Sequence, residues 1–178
     1  MNTRKFAAVA LGAVTIAALV TGCGTKDSQQ AVVNPTIVNP PASSSAPDQY
    51  SRSTGVLAPT DTGIGRNGAE VTILSVNDEQ TSYGPATVFT FQIYNKGQQT
   101  ISPGDWTYPT VVYGPAGISA EWFVSTADHL GEGTQGAMPP GARQTIREGY
   151  KVSKAQLTET VVTEGSLVWQ GDFSTFTR

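Results

Sequence analysis

The sequence predicts an all-β, antiparallel sandwich of about seven short strands over residues 66–178. Three observations predict it. Apolar residues alternate with polar ones in short runs, and Gly, Pro, Asn and Asp punctuate those runs. Beyond the N-terminal apolar run, no long stretch carries the 3.6-residue period and capping residues of a helix.

Residues 71–76, Val-Thr-Ile-Leu-Ser-Val, form the first β-rich run, closed by the turn-prone pair Asn77-Asp78. The clearest strand follows, where Phe89, Phe91 and Ile93 alternate with Thr90, Gln92 and Tyr94 ahead of an Asn95-Lys96-Gly97 turn. Alternation of that kind puts the aromatics on one face and the polar residues on the other. Further strands are expected at 110–113 before Gly114-Pro115, at 120–124, at 144–152, at 160–163 and at 167–173. Residues 154–158 are expected to make at most a short turn of helix, because so brief a segment cannot repay helix nucleation.

The N-terminal part has a different composition. Arg4 and Lys5 precede an apolar run over 6–20, and the small residues Thr21-Gly22 follow it, which is the order of a secretory signal peptide over 1–22. The run is shorter than the about 20 apolar residues that cross a bilayer, which argues against a membrane-spanning helix. Val20-Thr21-Gly22-Cys23 resembles the lipobox of bacterial lipoproteins, which implies cleavage before Cys23 and acylation of its sulfur. The expected location is then the extracytoplasmic face of a membrane, held by lipid. One acyl chain binds only reversibly at about 0.8 kcal/mol per methylene, so stable anchoring takes two or more. A buried thiol is the competing reading, but Gly22, Gly24, Thr25 and Lys26 offer no core to bury it. Cys23 is the only cysteine, so no intramolecular disulfide is available to the domain.

Residues 23–65 are rich in Pro, Ser, Thr, Gln and Asn, too poor in apolar mass to offset the entropy of ordering, and are expected to form a disordered tether. A chain of roughly 40 such residues has a typical end-to-end distance of about 35 Å. Without Arg4 and Lys5 the remainder carries nine basic against fourteen acidic residues, a formal charge of −5. That balance argues against a nucleic-acid partner, which calls for a basic footprint.

The segment Phe89-Thr90-Phe91-Gln92-Ile93-Tyr94-Asn95-Lys96-Gly97 running into Ile101-Ser102-Pro103, then Trp106, and the Met138-Pro139-Pro140-Gly141 turn before the 144–152 strand resemble the telokin-like immunoglobulin domains of exported Gram-positive, including actinobacterial, lipoproteins. The resemblance implies an immunoglobulin-like fold and a cell-surface setting, and no chemistry. The Gly-rich segment 131–136 has no assigned place in that pattern.

Candidate chemistry is sparse. His129, the only histidine, lies between Asp128 and Glu132, but no Gly-x-Ser-x-Gly elbow accompanies it, so no catalytic residue is expected. Asp128, His129 and Glu132, with Met138 nearby, lack the ordered spacings of metal sites, so no metal or other cofactor is expected. Trp106 and Tyr108 sit in a loop-like stretch between Gly104-Asp105 and Pro109, where they serve either surface contact or packing. On the 144–152 strand Ile146, Tyr150 and Val152 share one face, while Arg143, Arg147 and Lys151 form a basic ridge on the other, either a polyanion contact or a solvated edge. The functional expectation is a non-enzymatic binding or interaction module at the cell envelope, its partner an envelope protein. The alternatives are a wall-polymer or carbohydrate binder and a metal or small-ligand carrier.

Overall fold

A computed structural model describes residues 51–178. Cys23, the signal segment and most of the proposed tether lie outside the described residues. Among the described residues ten strands form two five-stranded sheets: β1 Val56–Leu57, β2 Thr62–Ile64, β3 Ala69–Thr81, β4 Gly84–Asn95, β5 Thr110–Tyr113, β6 Ile118–Ser119, β7 Trp122–Phe123, β8 Arg143–Tyr150, β9 Thr160–Glu164 and β10 Leu167–Gly171. One sheet has the order β1-β10-β9-β5-β6 and the other β2-β3-β4-β8-β7. All pairings are antiparallel except that of β1 with β10. The chain passes repeatedly between layers, as in an immunoglobulin-like sandwich. No helix among the described residues is long and apolar enough to cross a membrane.

The core is built by alternation. Val71 and Ile73 of β3, Phe89, Phe91 and Ile93 of β4 and Ile146 and Tyr150 of β8 face Val111 of β5, Val162 of β9 and Leu167 and Trp169 of β10 in one buried cluster. Ile73 and Val76 both point inward although three residues apart, because a bulge shifts the β3–β4 register between Ile73 and Ser75. One extra residue there restores the apolar face.

Three expectations are corrected. Asn77-Asp78 does not close the first strand. Asn77 pairs with Val88 and Asp78 with Thr87, so β3 runs on to Thr81 and the hairpin turns at Ser82-Tyr83. The Asp78 carboxylate is held by the Thr87 hydroxyl at 2.8 Å and the Lys154 backbone N–H at 2.7 Å, which converts a turn-former into a strand residue. The folded region also begins earlier than residue 66. β1 and β2 each add an edge strand to a different sheet, linked by a turn in which the Asp61 carboxylate accepts the Ala58 N–H at 2.8 Å. Leu57 packs on the core, and the Trp169 indole donates to the Asp61 carbonyl at 3.0 Å. A segment this poor in apolar residues is ordered by pairing β1 with β10, more than a hundred positions away, and β2 with the adjoining β3, which composition does not report.

The strand expected at 120–124 is only Trp122–Phe123, and the loop that follows explains the glycines at 131–136. Gly131 has φ +70°, and a Cβ on it would stand 3.0 Å from the Phe123 carbonyl oxygen and 3.2 Å from Val124 Cα. Gly131→Ala is therefore expected to cost about 1–2 kcal/mol through left-handed strain and backbone contact, read as a lowered denaturation midpoint at unchanged slope. No loss of stability would remove this account of the loop.

Candidate functional site

Strand alternation places two carboxyls inside the sandwich. On β8 the inward positions are Ile146, Glu148 and Tyr150, and on β9 they are Thr160, Val162 and Glu164. Glu148 is fully buried: its Oε2 accepts the Trp122 indole N–H at 2.7 Å, while its Oε1 has no hydrogen-bond partner. Burial pushes the Glu148 carboxyl above the usual carboxylate range, and the nearby indole N–H groups of Trp122 and Trp106 pull it part of the way back. The Tyr150 hydroxyl donates to the Pro109 carbonyl at 2.7 Å, and burial together with Glu148 raises its pKa.

Glu164, 8% exposed, lies at the end of β9. Burial pushes its carboxyl up to about 7, against the opposing effect of the Thr107 backbone N–H. It borders a cleft of about 440 Å³ where the β2–β3 turn, the end of β4 and the β9–β10 turn come together. Val71, Ile93 and Ile101 supply an apolar floor, and Trp106 and Thr134 complete the walls. Arg66 and Asp105 stand at the rim.

Local structure holds this lining in place. Ile101 and Met138 exchange backbone hydrogen bonds at 2.9 and 2.8 Å in an isolated bridge. Buried Asn95 ties the surrounding loop together, its amide donating to the Gln99 and Met138 carbonyls, both at 2.8 Å, and its Oδ1 accepting from Gly97 N–H at 3.0 Å. The Trp106 ring meets Phe91 edge-on at 6.1 Å. Of the buried polar atoms on the cleft-lining residues, the Trp106 N–H acts on the Glu148 carboxyl, and the Thr134 hydroxyl has no hydrogen-bond partner. Unsatisfied groups of this kind carry a desolvation cost that a bound molecule can relieve.

The residues singled out from sequence divide. Trp106 lines the cleft, whereas Tyr108 is 46% exposed and leans on Trp122 at 4.8 Å between ring centroids. Arg143 lies over the Tyr94 ring at 4.1 Å. Arg147 pairs with Glu79 at 2.6 Å and donates to the Asp128 carbonyl at 2.8 Å, and Lys151 pairs with Glu121. Two members of the basic ridge thus already face carboxylates.

Asp128 does not join His129 in a site. Its Oδ2 accepts from the Ser82 and Ser125 hydroxyls, each at 2.6 Å, and from the Ser82 backbone N–H at 2.9 Å, which holds its pKa down to about 2. His129 is exposed and sits 3.6 Å from Glu132, and Met138 is in the core. No three His, Cys, Asp or Glu side chains come together as a metal site among the described residues.

Sequence reasoning passed over Glu148, Glu164 and Thr134. The signal for the two acids was present in the strand alternation, since each falls at an inward position of its strand.

The sequence matches no family model and no curated protein. A solved structure, the secreted protein MPT63 of Mycobacterium tuberculosis, aligns with a TM-score of 0.46 at 16% identity over 67% of this chain and 98% of that one. Identity at that level transfers no activity, ligand or partner.

Proposed function

We propose that this chain is a non-enzymatic binding module, displayed outside the cytoplasm on a lipid anchor at Cys23, and that the cleft bordered by Glu164 and Trp106 is where it binds. The observation that carries the reading is a cleft of ligand size, about 440 Å³, lined by a buried acid and by a Thr134 hydroxyl without a partner above an apolar floor. The lipobox-like tetrad ending at Cys23 supports the anchor. Catalysis has less support: His129 turns toward Glu132, and the paired serines Ser82 and Ser125 are taken up by Asp128. An envelope protein and a wall polymer are both candidate partners. The ion pairs of Arg147 and Lys151 leave the basic ridge less suited to an anionic polymer.

Two experiments test the reading. Cys23→Ala is expected to leave the chain unprocessed or released from membranes on fractionation. Retention equal to wild type would refute the anchor. A photo-crosslinking residue at Ser166, on the cleft, is expected to capture an adduct in cells that the same residue at exposed Thr175 does not. Identical capture at both positions would rule out the cleft as the binding site.

A further inference from the structure

We propose that the cleft takes a small organic cation, an ammonium group on an apolar body, with Glu164 as its counter-ion and Trp106 as its aromatic wall. The inference rests on the reading of the cleft as a binding site. Glu164 is buried at the cleft and accepts the Thr107 backbone N–H, a neutral donor that brings no charge to offset its own. A carboxylate buried without a counter-charge is costly, and a ligand that brings the missing positive charge removes that cost.

The surroundings select among ligand charges. An indole face attracts a desolvated cation, and Asp105 adds a second negative charge at the rim. The orphaned Thr134 hydroxyl can accept a hydrogen bond from an ammonium N–H. Val71, Ile93 and Ile101 take the apolar body. A neutral polyol would leave the Glu164 charge unanswered, and an anion would meet two carboxylates. Arg66, opposite in sign, stands exposed at the mouth rather than in the floor.

The test uses three probes of one shape on the full-length chain: phenethylamine, 2-phenylethanol and 3-phenylpropionate, titrated while following the Trp106 indole N–H resonance. At about pH 8 the amine is expected to bind about tenfold more tightly than the alcohol, with the acid weakest. The advantage should shrink as pH falls to about 5.5, where Glu164 takes up its proton while the amine stays charged. Glu164→Gln should bring amine and alcohol together. Alcohol or acid binding as tightly as the amine would overturn the ammonium assignment and leave the cleft a binding site. The wild-type comparison of probes decides this without any variant. The other charged groups bordering the cleft are Asp105 and Arg66, and an amine preference or pH dependence that survives Glu164→Gln would overturn the role given to Glu164. If none of the three probes moves the resonance, the binding-site reading falls together with this one.

Discussion

Stability is expected to fall as pH rises from about 4.5 to about 7, by about 3 kcal/mol from Glu164, with most of that loss absent in Glu164→Gln. The sign follows from proton uptake. Between its unfolded value of 4.5 and its folded value of about 7, Glu164 holds a proton in the folded chain and has lost it in the unfolded one. Stability from this group is therefore complete below about 4.5 and gone above about 7. Glu148, raised by burial as well, acts in the same direction. Asp128 acts oppositely: hydrogen bonds from Ser125 and Ser82 lower it to about 2, so what it adds is lost in stronger acid, as pH falls through that value. The two effects give a stability maximum on the acid side of neutrality. Thermal unfolding across pH, wild type against Glu164→Gln, measures it: the variant should be the more stable at about pH 8, since an amide needs no ionisation to remain buried. Stability that rises through neutral pH, or an unchanged slope in the variant, would show that Glu164 is solvated in the folded chain.

Trp169→Ala is expected to cost about 3–5 kcal/mol, enough to threaten folding of a domain without a disulfide. Trp169 is fully buried on β10, between Val162 of β9 and Leu57 of β1 in the ladder. Truncation removes core volume and also the hydrogen bond from its indole to Asp61, which ties the β1–β2 segment to the rest. Trp169→Phe separates the two effects. It retains most of the packing, drops the hydrogen bond at a cost of about 1–2 kcal/mol, and should speed amide exchange over residues 56–64 more than elsewhere. Equilibrium unfolding with site-resolved hydrogen exchange reads both. A loss below about 1 kcal/mol for Trp169→Ala would contradict its place in the core.

How much was legible follows the range of the interactions concerned. The sequence by itself determined the all-β class and the inward faces of the main strands, because period-two alternation at Phe89, Phe91 and Ile93, or at Ile146 and Tyr150, is a local property that burial then honours. The brevity of the turn near Lys154 was equally local, and it appears as a 3-10 turn over Lys154–Gln156. The inward placement of Glu148 and Glu164 was written in the same alternation, but an acid on an apolar face is read as a break in the pattern until its burial is seen.

Tertiary structure decided the rest, wherever a residue's conformation depends on partners distant in sequence. Asn77-Asp78 stayed in a strand because Thr87 and Lys154 hold Asp78, and β1 and β2 formed because β10 and β3 offered edges to pair with. The cleft is of the same kind. Its floor comes from β3, β4 and the bridge residue Ile101, its buried acid from β9, and its aromatic wall from the loop before β5. Each of those residues has an ordinary local reading, and only closing one sheet over the other brings a carboxyl, an indole and an apolar floor around one space.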